Sequence, residues 1–326
     1  MKKIINEPHA VVDELLEGML LAHSDFLTGI DDTRVIIEKE KQATVGLVSG
    51  GGSGHEPAHA GFVGAGMLRA AVLGEMFTSP TPDQIFEAIK ASDTGHGVLL
   101  IVKNYTGDVM NFDMAKEMAE MEDIKVESIL VDDDIAVEDS TYTAGKRGVA
   151  GTILVHKILG HYAREGKTLT ELKQLGDALI SHIDTLGVAL TGATVPEVGK
   201  PGFTLAENEM EYGVGIHGEP GYRRSELKQS HAIAKVLVTK LMETRPDTKK
   251  IGLLVNGLGA TPLQELYVFY RDVVNELKNY DVDIVFQKIG DFMTSIDMAG
   301  LSLTVIDLDD DTYKAALTSP VDVLNW

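Results

Sequence analysis

A chain of 326 residues, 44% hydrophobic and 24% charged, is long enough to bury the core of one large or two medium globular domains. Fifty acidic against twenty-nine basic residues leave a net charge of −21, which repels phosphate backbones and anionic lipid and argues against nucleic-acid and membrane-surface roles. The absence of cysteine excludes a disulfide framework, a thiolate zinc site and a cysteine nucleophile.

Lys2 and Lys3 ahead of apolar residues resemble a secretory leader, but Glu7, Asp13, Glu14 and Glu17 interrupt any apolar core. The segment reads as an amphipathic helix. No run approaches the length of a membrane span, and a cytoplasmic protein is expected. Val45–Ser49 is an apolar run ending in glycines, the pattern of a buried parallel strand. Thr81-Pro82-Asp83-Gln84 combines an N-cap threonine, a proline at the first helical position and a glutamine three after the cap, predicting a helix through Ala91. There follow a strand at Gly97–Val102, a helix after Asp108, a strand at Lys125–Val131, and helical stretches around Val149–Ala163 and Leu169–Ile183. Strands separated by helices imply crossovers in a mainly parallel sheet.

From about Leu186 the chain becomes rich in glycine, threonine and proline, and EMEYGVGIHGEPG is another strand running into glycines. A helix (Glu226–Glu243), a strand (Lys250–Val255), a helix (Pro262–Leu277) and strands at Val282–Lys288 and Ser302–Leu308 complete the pattern. The expected fold is α/β in two domains, residues 1–184 and 185–326, each with a sheet flanked by helices and the first sheet mainly parallel.

VGLVSGGGSGHEP, residues 45–57, poses the first chemical question. A phosphate-binding loop needs a lysine and a hydroxyl after its last glycine, and a dinucleotide fingerprint needs another glycine where Pro57 follows Glu56; neither pattern is met. NGLGATP, residues 256–262, fails similarly, with proline in place of the final glycine. Two readings of the first stretch remain open: a ligand-binding loop presenting His55 at the carboxyl end of a strand, or a tight turn in which His55 merely caps the next element.

LLIVKNYTGDVMNFD, residues 99–113, delivers Lys103, Asn104 and Asp108 to the same edge. Asp108 is either a helix N-cap or a group that orients or deprotonates a hydroxyl; Lys103 is either a solvated charge or a holder of a polar oxygen. In YGVGIHGEPG, residues 212–221, His217 lies between glycines, and its HGEP echoes the GHEP at 54–57. Two such histidines suggest a cleft lined from both sides, with an imidazole serving as nucleophile toward a carbonyl or as a general base. His55 and His59 are four apart, but Pro57 intervenes and no HExxH pattern is present; Asp132–Asp134 and Asp309–Asp311 read as solvated turns. No protein-bound metal is expected.

Together GLVSGGGSGHEPAHAGFVGAGML, EMFTSPTPDQI, LLIVKNYTGDVMNF, VDDDIAVEDSTYTAGKRGVAGT, TVPEVGKPGFTLAENEMEYGVGIHGEPG and VNGLGATPLQELY resemble the substrate-binding subunit of dihydroxyacetone kinases, from Met1 to Trp326. The resemblance implies a homodimer of two-domain α/β chains that holds dihydroxyacetone covalently, as a hemiaminal on His217. It implies substrate contacts from Gly52, Ser53, Gly54, His55, Lys103 and Asp108, with His55 as general base and Asp108 assisting. It further implies that this chain binds no cofactor. ADP or ATP with magnesium would sit on a separate nucleotide-binding subunit, recharged from phosphoenolpyruvate through a phosphotransferase-system relay subunit, and the chain alone would be inactive. The alternatives are a non-catalytic paralogue that binds dihydroxyacetone and acts on a transcriptional activator, and an isomerase or aldolase of small carbonyls. Retention of His55 and Asp108 beside His217 favours catalysis, since a sensor needs only the nucleophile and its pocket.

Overall fold

Apolar runs with period-two and unbroken burial pair into two six-stranded sheets. The computed structural model describes residues 2–136, 145–219 and 221–326; residues 137–144 and Pro220, which belong to two of the motifs quoted above, lie outside these. The first sheet contains β1 (Leu27–Gly29), β2 (Val35–Glu38), β3 (Gly46–Ser53), β4 (Ala70–Met76), β5 (Val98–Lys103) and β6 (Val126–Val131) in the order β1-β2-β4-β3-β5-β6. Strands β4, β3, β5 and β6 run parallel, with β2 antiparallel to β4 and β1 antiparallel to β2 at one edge, so this sheet is mainly parallel as expected. The second contains β7 (Ile183–Ala189), β8 (Glu209–Tyr212), β9 (Arg223–Glu226), β10 (Lys250–Gly257), β11 (Asp283–Gly290) and β12 (Gly300–Asp307) in the order β11-β10-β12-β7-β8-β9. There β10 and β11 are parallel and the other neighbours antiparallel.

Helices α2 (Pro82–Ser92) and α3 (Thr106–Met121) cover one face of the first sheet, and α6 (Ser230–Glu243) and α7 (Leu263–Leu277) cover the outer face of the second. Between the sheets lie α1 (Val11–Ala22), α4 (Thr152–Arg164), α5 (Leu169–Ile180) and α8 (Asp311–Thr318). One apolar cluster joins Leu47 and Leu99 of the first sheet to Leu254 and Ile306 of the second through Ile153 and Ile158 of α4. Helix α4 is accordingly buried on nearly all sides. The expected boundary at 184/185 falls inside β7, which belongs to the second sheet.

Four local expectations are corrected. The glycines at 50–52 are not a turn after the strand but part of β3, which continues to Ser53. They fit because β4 and the turn after it lie too close for side chains: a Cβ at Gly50 would stand 2.5 Å from the Val72 carbonyl oxygen, and one at Gly52 2.5 Å from the Thr78 nitrogen. Asp108 is not an N-cap; α3 begins at Thr106, leaving Asp108 in its first turn. Asp133 and Asp134 are not a solvated turn but are buried. Asp133 accepts bonds from the Val149 and Gly151 N–H groups and the Thr185 hydroxyl, fixing the approach to α4. Finally, α5 ends at Ile180 and α6 starts at Ser230, because Ile183 and Arg223–Glu226 are taken into strands.

Candidate active site

The carboxyl ends of the parallel strands β3 and β5 meet the β8–β9 connection, and the segment after β11 closes over them. His55 follows β3 directly and is fully buried. Its Nδ1–H donates to the Thr294 carbonyl oxygen at 2.8 Å, an atom that only accepts, so the lone pair of the neutral ring sits on Nε2. Burial first, then the charges of His217 and Lys103, hold this imidazole well below its ordinary pKa. His55 is therefore a neutral base near pH 7.

Its Nε2 lies 3.1 Å from Nε2 of His217. Two ring nitrogens at that distance share a proton, since two facing lone pairs would repel. On its other side His217 directs Nδ1 at the Glu219 carboxylate, 3.3 Å away, while the second Glu219 oxygen accepts from the His217 backbone N–H at 3.1 Å. Burial alone would raise the Glu219 carboxyl; the His217 hydrogen bond, the His217 charge and the Arg147 charge reverse this and hold it below its usual range. The His217 ring is boxed edge-on by Phe77 and Tyr105, with centroids at 5.2 and 4.5 Å, and His55 stacks on Phe77. Phe77 adopts φ 57°, a left-handed conformation that a bulky residue rarely takes, which marks the turn after β4 as built for this contact.

Asp108, from the first turn of α3, is buried and reaches the same cleft. Its Oδ1 accepts from the Ser79 hydroxyl and its Oδ2 from Lys103 Nζ at 3.3 Å. Lys103 is neither a solvated charge nor a wall of the cleft. It is fully buried, and its three N–H donors are taken by Asp108, the Gly50 carbonyl oxygen and His59 Nε2, the last two at 3.2 Å. Lys103 thus aims Asp108 rather than facing the cavity. His59 in turn bonds His156 at 2.9 Å, which accounts for the spacing of His55 and His59: they face different neighbours. The Ser53 hydroxyl is spent on the Gly74 carbonyl oxygen, and Gly54 packs against Phe77 and Ile296, whereas Gly52 lines the cleft.

The cleft has a volume of about 780 Å³ and is walled by Gly52, Ser79, Tyr105, Asp108, His217 and Phe203 among others. It presents the His217 imidazole, a neutral imidazole behind it and a carboxylate at its rim, and among the described residues no dedicated cradle for phosphate. Such a set can add to a carbonyl and deprotonate a hydroxyl.

Residues 17–325 match the model of the Dak1 domain. The chain belongs to the Dak1 family. Its relatives include the protein of Lactococcus lactis strain IL1403 named PTS-dependent dihydroxyacetone kinase, dihydroxyacetone-binding subunit DhaK, 59% identical over the whole of this chain and 99% of its own. The DhaKLM operon coactivator DhaQ of the same strain is 43% identical over 99% of this chain and 100% of its own. Among solved structures, the dihydroxyacetone kinase of C. freundii in complex with AMP-PNP and Mg2+ superposes with a TM-score of 0.92 at 34% identity, covering all of this Dak1 chain and 60% of that one.

Within the Dak1 site, sequence reasoning missed Glu219, Thr294, Ser79, Phe77 and Tyr105. Only Glu219 left a signal, as the acidic member of the HGEP echo two residues after His217. Thr294 is 239 positions from the histidine it orients, and no local pattern could pair them.

Proposed function

We propose that this Dak1 chain is the substrate-binding subunit of a phosphoenolpyruvate-dependent dihydroxyacetone kinase and holds dihydroxyacetone as a hemiaminal on His217. The observation that carries this reading is the His55–His217 pair, with Nε2 atoms 3.1 Å apart and each Nδ1 committed elsewhere. The shared proton moves to His55 Nε2, freeing the His217 Nε2 lone pair. That pair forms a bond to the ketone carbon while the carbonyl π pair moves onto oxygen, and the oxygen takes the proton back from His55. Nothing else is consumed: a hydroxyl has formed, His55 is neutral again, and His217 is an imidazolium whose Nδ1–H still faces Glu219.

His55 then has a free lone pair for the proton of the terminal hydroxyl, which Asp108 helps to orient. Phosphate arrives from nucleotide on a partner subunit, in keeping with glycine-rich stretches at 45–57 and 256–262 that meet no phosphate-loop pattern. Covalent capture suits a ligand this small, whose few heavy atoms limit noncovalent affinity. It also rejects glycerol, which has no carbonyl, and fixes the hydroxyl for in-line attack. The chain is proposed to act as a homodimer and to be inactive alone.

A mixture of this chain, the nucleotide-bearing and relay subunits, and phosphoenolpyruvate should form dihydroxyacetone phosphate. Binding without product would instead favour a coactivator like DhaQ. With dihydroxyacetone labelled at C2, the carbonyl 13C signal should give way to a tetrahedral carbon on the unchanged chain and not on His217→Ala. A tetrahedral signal that survives the substitution would assign the nucleophile elsewhere.

A further inference from the structure

Arg147 is fully buried and does not line the cleft. Its Nε and Nη2 bond the Asp134 carboxylate at 2.8 and 2.6 Å, and Nη2 also donates to the Gly213 carbonyl oxygen at 2.7 Å. Its Nη1 is buried without a hydrogen-bond partner among the described residues. That nitrogen lies over Gly215: a Cβ there would stand 2.8 Å from Nη1 and would also collide with Glu219 Oε2. Bare glycine at 215 lets the guanidinium and the carboxylate crowd the same backbone atom. The unpaired side of a buried cation is thus turned toward the carboxylate that holds the His217 Nδ1 proton.

We propose that Arg147 is a positioning residue that keeps this proton on His217 after the carbon–nitrogen bond has formed, so that the bound substrate remains releasable. The inference rests on the hemiaminal reading above. Once Nε2 is bonded to carbon, the Nδ1 proton has two resting places. If it stays on the ring, the adduct is an imidazolium, and reversal expels neutral imidazole: the hydroxyl proton returns to His55 Nε2, the carbonyl re-forms, and the C–N pair returns to His217. If Glu219 takes the proton, the ring is neutral and reversal must expel an imidazolide, a far poorer leaving group. A guanidinium in a low-dielectric interior penalises neutralising the nearby carboxylate, and so selects the first state. Asp134 holds Arg147 in place through Nε and Nη2 and leaves Nη1, over Gly215, without a hydrogen bond among the described residues.

The test uses full-length chain with 15N-labelled histidine and dihydroxyacetone carrying 13C at C2, with thermal melts to check folding. In the unchanged chain the adduct's His217 Nδ1 should be protonated. In Arg147→Met it should lose the proton, and exchange of bound for free dihydroxyacetone should slow by ~tenfold or more, the effect of little more than one pKa unit at the leaving group. Arg147→Lys, which restores the charge, should return both readouts toward the original. A bare Nδ1 in the unchanged adduct, or exchange in Arg147→Met at the original rate, would overturn the inference. The first of these needs no variant to fold. An unchanged chain that gives no 13C adduct at all would overturn the hemiaminal reading itself, a distinct result.

Discussion

Lys103 shows how a charged side chain can serve a cleft it does not line. With its ammonium shared among Asp108, Gly50 and His59, its position depends on the bare Cα of Gly51, where an added Cβ would collide with Nζ. The colliding atom is the end of a flexible chain, but Gly51 also holds φ 154°, which alanine adopts only with strain, so Gly51→Ala should cost ~1–3 kcal/mol of stability as well as displace the lysine. The displaced lysine would let go of Asp108, and a misplacement of about 1 Å at a catalytic group costs on the order of 10²-fold in rate. Phosphoryl transfer in the reconstituted mixture, assayed below the lowered melting temperature, should therefore fall by about that factor. Full activity would show that Asp108 does not need its lysine.

Helix α4 is the element that both sheets share, and Gly160 is where it pays for that closeness. Replacing a helical glycine by alanine ordinarily stabilises by ~1 kcal/mol. Here the new Cβ would strike the Gly66 carbonyl oxygen and stand 2.5 Å from Met67 Cα. These are backbone atoms, unable to swing away as a side chain can, and overpacking of this kind costs ~1–3 kcal/mol. Gly160→Ala should thus be net destabilising, with a lower urea midpoint at unchanged slope; a raised midpoint would mean that α4 and the Gly66 segment are not in such close contact. The elements expected at β5, β6, β10 and α7, apolar runs with room for side chains, are present within a residue or two of their expected bounds, whereas the apolar strands β2, β4 and β7 were not expected from the sequence. The expectation also failed in β3, whose glycines have low strand propensity and were drawn into the sheet by the nearness of β4.

At the scale of the whole molecule, the interior holds several imidazoles in the neutral state. Burial, with Lys103 second, lowers His156 to about 3, and burial likewise holds His55 and His59 well below their ordinary value of 6.5. The unfolded chain takes up protons on these rings near 6.5 while the folded chain does not. Their contribution is complete above that pH and is lost as the pH falls, for His156 down to about 3. Each ring removes up to ~1.4 kcal/mol per pH unit. Asp133, pushed up to about 6 by burial, acts in the opposite sense, so the absolute slope mixes both. Comparing urea unfolding of the unchanged chain and His156→Phe between about pH 6 and pH 4.5 isolates the ring: the variant should lose stability less steeply by about one ring's share. Parallel slopes would show that His156 is protonated in the folded state.

By itself, the order of residues determined the alternation of helix and strand, the mainly parallel first sheet, and the glycine-containing segments that carry His55, Asp108 and His217. Those are properties of periodicity and of glycine and proline, which act over a few positions. Folding alone decided which nitrogen of each histidine is free, because Thr294, 239 positions away, sets the tautomer of His55, and the turn that brings Glu219 back onto His217 sets the other. It also decided that Lys103, Arg147, Asp133 and Asp134 are buried. Desolvation and hydrogen-bond geometry depend on what surrounds an atom in space, and here the surroundings come from residues tens to hundreds of positions away. The glycine-rich stretch at 45–57 combines both levels: its composition announced a site, and only its packing beside β4 and Lys103 showed that the glycines make room for neighbours rather than for phosphate.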